Sequence, residues 1–118
     1  MAIIGVHGLV YTSEPEAVRA IFRDVFGWDF VDDGDGWLIF KLPPGELGVH
    51  PSELEHKHAL SIMCDDLEAT MAELRTKGIE FRGEPTDARY GITATMLLPG
   101  GTELQLYEPH HKLAIDLP

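Results

Sequence analysis

Apolar residues along the chain switch between two spacings, and each switch marks a predicted element. Ile3-Ile4-Gly5-Val6-His7-Gly8-Leu9-Val10-Tyr11 is β-branched, aromatic and short, which predicts a buried strand. Ser13-Glu14-Pro15-Glu16 follows, with Ser13 and Glu16 at the spacing of a capping box and Pro15 where a first helical turn tolerates it. Val18, Phe22 and Val25, with Ile21 beside them, then recur at helical spacing up to Phe26, and Gly27 closes the helix. Trp28 to Val31 predicts a strand, Asp32-Asp33-Gly34-Asp35-Gly36 a hairpin turn, and Trp37-Leu38-Ile39-Phe40 the next strand. Pro43-Pro44-Gly45 turns the chain into a fourth strand, Glu46-Leu47-Gly48-Val49-His50, and the polar stretch from Pro51 to Lys57 reads as a linker.

The second half repeats the order. His58-Ala59-Leu60-Ser61-Ile62-Met63 predicts a strand. Asp65 or Asp66 caps a helix carrying Leu67, Met71 and Leu74 at i, i+4 and i+7, which Gly78 ends. Ile79-Glu80-Phe81 starts a strand, an unpatterned loop runs from Arg82 to Ile92, and Thr93 to Leu98 forms another strand. Pro99-Gly100-Gly101 turns the chain into the last, Glu103 to Tyr107. Individual residues repeat as well. Pro15-Glu16-Ala17 matches Leu67-Glu68-Ala69, and Gly27 with Phe30 matches Gly78 with Phe81. The segment from Pro44 to Pro51 matches that from Gly101 to Pro109.

The fold class is therefore α+β: two tandem βαβββ modules, residues 1–53 and 54–118, whose curved mixed sheets form a cleft within one domain spanning 1–118. A module of about 55 residues buries too little surface to stand alone, so the two must share a surface, within one chain or across a homodimer.

Composition changes this picture mainly by exclusion. The chain has 118 residues, 20 acidic against 9 Lys and Arg, and a formal net charge of −11. So few dispersed cations cannot build the basic face that nucleic acid or an anionic membrane surface requires, leaving a small-molecule ligand and a second copy as expected partners. No run of about 18 apolar residues predicts a membrane span. The single Cys64 and an N-terminus without a signal-peptide pattern point to the cytoplasm.

Three stretches, His7 to Trp28, Cys64 to Phe81 and Leu98 to Pro109, resemble the vicinal oxygen chelate superfamily, which includes glyoxalase I, extradiol dioxygenases and bleomycin-resistance proteins. Phe22-Arg23-Asp24-Val25-Phe26-Gly27-Trp28 is similar to the Phe-Tyr-x-x-Val-Leu-Gly-Phe signature of these proteins, and Leu98-Pro99-Gly100-Gly101-Thr102 to their Asp-Pro-Asp-Gly-Asn turn. The resemblance implies one metal ligand on the first and one on the fourth strand of each module, holding an ion that binds neighbouring substrate oxygens. Carried onto this chain, those positions fall on His7, Gly48, Ala59 and Gln105, so that His7 alone is a good ligand. Strand alternation offers replacements: His50 shares the face of Gly48, Glu103 that of Gln105, and His58 joins if a bulge shifts the register.

A set of His7, His50 and His58, with Glu103 as the candidate catalytic group, would suit one divalent ion (Fe, Zn, Mn or Ni) acting as a Lewis acid. Trp37, Tyr90, Gln105 and Tyr107 are the candidate ligand-binding residues of the cleft. Two function classes stay open. One is a metal-dependent lyase, isomerase or dioxygenase with a degenerate or rearranged metal site. The other is a metal-free protein that binds or sequesters a small ligand, as bleomycin-resistance proteins do.

Overall fold

The computed structural model describes residues 7–49 and 58–118. The second half carries a complete βαβββ run: β3 (Ser61–Met63), α2 (Leu67–Thr76), β4 (Glu80–Ala88), β5 (Gly91–Leu98) and β6 (Thr102–Pro109). These strands form one mixed sheet in the order β3-β6-β5-β4, with β3 parallel to β6 and the other pairs antiparallel.

Helix α2 forms where both of its ends are chemically specified. The Asp66 carboxylate accepts from the Ala69 N–H at 3.0 Å, and the Glu108 carboxylate, reaching over from β6, accepts from the Leu67 N–H at 2.8 Å. Two of the four amides that a helix start leaves unpaired are thus satisfied, and both negative charges sit at the positive end of the helix dipole. At the other end Gly78 takes φ +90°. The Ile79 N–H then bonds the Leu74 carbonyl, and the Gly78 N–H bonds that of Arg75, the paired closure that a left-handed residue permits.

Between these ends Leu67, Met71 and Leu74 make one apolar stripe, buried against Ala94, Met96 and Leu98 of β5 and Leu104 and Leu106 of β6. Met96 and Leu106 are sealed from solvent, and Val18 from the first half joins the same core.

The first half is less complete. Helix α1 (Pro15–Ala20) runs into a wide π-type turn (Ile21–Val25), closed by a bond from the Phe26 N–H to the Ile21 carbonyl and by Gly27 at φ +73°. Phe22 then packs its ring on Phe26, Trp28 and Phe40, with centroids 5.6, 5.3 and 5.5 Å away. That cluster fastens the hairpin β1 (Phe30–Asp32) and β2 (Leu38–Phe40) to the helical segment.

Several sequence expectations need correction. The expected first strand is not formed over His7 to Tyr11, nor the expected fourth over Glu46 to Val49; residues 1–6 and His50 lie outside the described residues. Alternating apolar residues do stand there, but Tyr11, Leu47 and Val49 are 86, 91 and 95% exposed, so neither segment has found a sheet to join. The capping box of Ser13 and Glu16 is not made either. Glu14 occupies the cap position, and Thr12 Oγ1 accepts from the Glu14 N–H at 3.2 Å.

The expected loop from Arg82 to Ile92 is mostly strand. Gly83 and Pro85 fall where the register shifts between Arg82 and Thr86, after which Thr86, Asp87 and Ala88 pair again with β5. Proline cannot donate to the ladder, and a bulge is where a strand tolerates it.

Candidate functional site

Alternation along the four-stranded sheet sends one set of side chains to α2 and the other to an open face. Leu104, Leu106 and Glu108 of β6 belong to the helix side; Glu103, Gln105 and Tyr107 belong to the open one. The register extends this face across all four strands. Arg82, Thr95, Gln105 and Ser61 form one row, and Thr86, Thr93, Tyr107 and Met63 the next.

Each row has its own chemistry. In the first, the Ser61 hydroxyl donates to Gln105 Oε1 at 2.8 Å. Gln105 is therefore held with its oxygen occupied and its two N–H donors directed elsewhere. The Arg82 guanidinium pairs with the Glu103 carboxylate from the neighbouring row, an exposed ion pair. Glu103 has its charge matched by that partner, an arrangement unlike the desolvated, unpaired carboxylate expected of a general base.

The second row ends in an aromatic corner. The Tyr107 hydroxyl donates to the Tyr90 carbonyl at 3.0 Å, and its ring lies 6.1 Å from that of Tyr90 and 5.9 Å from that of His111. Burial, then the Glu46 carboxylate and Tyr90, push the Tyr107 hydroxyl above the ordinary tyrosine range. Glu46 comes from the first half of the chain. One of its oxygens accepts from the Ala114 N–H at 2.9 Å, and the other lies 3.6 Å from His111 Nε2. The segment after β6 is thereby tied to the first half beside Tyr107.

On the helix side, Cys64 is a half-buried thiol. Burial raises its pKa above the ordinary range, against a hydrogen bond from Thr70 that lowers it, and the carboxylates of Glu108, Asp65 and Asp66 raise it further. Burial first, and the acids near the α2 start after it, leave this thiol less ionised than an ordinary cysteine.

The structure brings together four of the residues singled out from sequence: Gln105, Tyr107, Tyr90 and Glu103 border one face or its rim. It does not bring Trp37 there. Trp37 is 61% exposed, at the close of the β1–β2 turn, and the Arg19 guanidinium lies over its ring at 5.1 Å. His7 and His58 are exposed, and His50 lies outside the described residues.

Among the described residues no three His, Cys, Asp or Glu side chains stand close enough to hold an ion. The four positions implied for metal ligands carry His7, Gly48, Ala59 and a Gln105 whose oxygen is already bonded. The described donor set does not fit a divalent metal. Sequence reasoning missed Glu108 as a cap and His111 as the partner of Glu46. The signal for Glu108 was present, since it follows Tyr107 and must face the helix. Nothing in the sequence linked residues 46 and 111.

No helix among the described residues is long and apolar enough to cross a membrane. No curated protein matches the sequence. Solved structures do match the fold. The antibiotic binding protein TnmS3 from Streptomyces sp. CB03234 is 22% identical over 92% of this chain and 98% of its own, with a TM-score of 0.59. A lactoylglutathione lyase from Agrobacterium tumefaciens is 14% identical over 89% of this chain and 92% of its own, with a TM-score of 0.63. A glyoxalase/bleomycin resistance protein/dioxygenase from Nocardioides is 17% identical over 97% and 92%, with a TM-score of 0.55. The family model for this group matches residues 6–111, nearly the whole sequence, and its βαβββ order is the one that the second half displays. The chain belongs to the glyoxalase/bleomycin resistance protein/dioxygenase superfamily.

Proposed function

We propose that this protein binds a small organic molecule without a metal ion, using the open face of the β3-β6-β5-β4 sheet as its recognition surface. A binder and a lyase both share this fold, so fold alone does not choose between them. The observation that carries the choice is the Ser61–Gln105 hydrogen bond. At the strand position where the family places a ligand atom, this chain puts an amide oriented to donate hydrogen bonds to a guest. Thr93 and Thr95 add hydroxyls, and Tyr107 and Tyr90 add rings at one end. A flat molecule with an aromatic portion and carbonyl or hydroxyl oxygens matches such a face.

An open sheet face encloses little by itself. The exposed apolar residues of the first half, Tyr11, Leu47 and Val49 among them, supply a surface that a second copy would cover, and a homodimer would turn the face into a cleft. The alternative is a metal-dependent lyase, isomerase or dioxygenase built on His7, His50 and His58, with Glu103 as its catalytic group.

Elemental analysis of protein grown with supplemented Fe, Ni, Zn and Mn separates the two. Binding without metal predicts sub-stoichiometric metal that His7→Ala leaves unchanged. It also predicts that Gln105→Ala and Tyr107→Ala weaken the capture of aromatic antibiotics in a fluorescence titration. One equivalent of metal, lost in His7→Ala, overturns the proposal in favour of the enzyme.

A further inference from the structure

A hollow of about 480 Å³, which takes none of its lining from the four-stranded sheet, lies between α1 and the β1–β2 hairpin. Most of its lining residues are exposed, so it is an open depression and not an enclosed cavity. Its floor and walls include Phe30 and Leu38 from the hairpin; Glu16 and Arg19 come from the helix and Asp32 from β1. Phe30 is 43% exposed, a large apolar surface that its own fold does not cover.

The charges in this hollow are of both signs. Arg23, which also borders it, is closed off by a two-pronged pair with Asp24, Nε to Oδ1 at 2.8 Å and Nη2 to Oδ2 at 2.9 Å. Arg19 is different. Among the described residues no carboxylate lies within 4 Å of it, and its guanidinium rests on the Trp37 ring, which holds a cation in place without neutralising it. Glu16, one helical turn from Arg19, likewise has no cation within 4 Å among the described residues. Asp32 uses Oδ1 for the Gly34 N–H at 2.8 Å, which leaves its second oxygen to accept.

We infer that this hollow binds a small zwitterion with an apolar side chain, of the amino-acid class: its carboxylate on Arg19, its ammonium between Glu16 and Asp32, its hydrocarbon on Phe30 and Leu38. A simple anion would meet two carboxylates there, and a simple cation would meet the Arg19 guanidinium. A ligand carrying both charges satisfies each group, and its apolar part covers the exposed ring. The inference is independent of the reading of the open sheet face.

The test is a titration of the full chain, followed by backbone amide NMR, with L-phenylalanine and its two halves, phenylacetate and phenethylamine. L-Phenylalanine is expected to shift amides between residues 16 and 38 saturably. Each half-ligand should bind about tenfold more weakly, the loss of one charge-assisted hydrogen-bonding group. Arg19→Gln should erase the advantage of L-phenylalanine over phenethylamine, Glu16→Gln that over phenylacetate, while Glu68→Gln, exposed on α2, leaves both intact. No saturable shift, equal binding of all three probes, or shifts gathered on β3 and β6 would overturn it. The three-probe comparison on the unaltered protein stands even if a variant fails to fold.

Discussion

Gly91 is the point at which one added methyl group tests both the packing of the sheet and the aromatic corner. It is buried at the start of β5, opposite Pro109 and beside Tyr107 of β6. A Cβ built there would lie 2.4 Å from Tyr107 Cε1, 2.5 Å from the Glu108 carbonyl oxygen and 3.1 Å from Pro109 Cα. Two of those three atoms are backbone, so no rotamer change relieves the contact. Instead β5 and β6 must part by several tenths of an ångström at that end. The Tyr107 ring must swing away, endangering its 3.0 Å bond to the Tyr90 carbonyl.

Overpacking of this kind costs about 1–3 kcal/mol, and the strained hydrogen bond adds about 1 kcal/mol, so Gly91→Ala should destabilise by about 2–4 kcal/mol. At an unfolding entropy of about 0.25 kcal/mol per kelvin for 118 residues, Tm should fall by about 8–16 °C. Urea unfolding gives the free energy, with Gly48→Ala as the control, since nothing lies within 4 Å of a Cβ there. A Gly91→Ala loss below about 0.5 kcal/mol, no larger than an ordinary surface substitution, would refute the placement of Tyr107 against the β4–β5 turn.

Asp66→Ala removes the acceptor for Ala69 and should cost about 1 kcal/mol in the same urea assay, while Asp66→Asn should recover most of it. The Tyr107 hydroxyl is held above its ordinary range in the folded state, so its contribution is complete below about pH 10 and is lost as pH rises through the folded value. The unaltered protein should therefore lose stability more steeply above pH 10 than Tyr107→Phe does; parallel alkaline limbs in thermal melts would contradict this. Cys64, raised by burial and by three nearby carboxylates, should react with iodoacetamide at pH 8 at least about tenfold more slowly than in the urea-unfolded chain, as thiol counts over time will show. Exposed His7 should tolerate Ala within about 0.5 kcal/mol, and a larger loss in calorimetry would give it a structural role.

The second half was legible because each of its signals is local. The stripe of Leu67, Met71 and Leu74, the Asp66 cap and the Gly78 stop specify a helix within a dozen residues, and the structure uses all of them. The first half shows what local pattern cannot supply. Alternation at Leu9 and Tyr11, or at Leu47 and Val49, states that one face is suited to burial but names no neighbour, and a strand exists only when a neighbour bonds to it. Gly83 and Pro85 misled in the opposite direction. Both are breakers in isolation, yet the pairing of Thr86 to Ala88 with Ile92 and its neighbours resumes beyond them, because a bulge absorbs two awkward residues at less cost than ending a hairpin.

The site divides along the same line. Period-two spacing on one strand puts Gln105 and Tyr107 on one face, and Tyr90 lies in the turn beside Tyr107. Trp37 lies apart from that face, because aromatic character says nothing about which side of a hairpin a ring will take. The acidic excess gains a location that the count of 20 against 9 could not give. Asp66 and Glu108 sit at the α2 start, Asp24 is spent on Arg23, Asp32 on a turn and Glu46 on the segment after β6. Glu103, on the open face one row from Gln105, is matched by Arg82. On the proposed reading, charge therefore does not select the guest of that face. In that proposal the features left to discriminate among molecules are the direction of the Gln105 amide, fixed by Ser61, and the two tyrosine rings at the edge of the face.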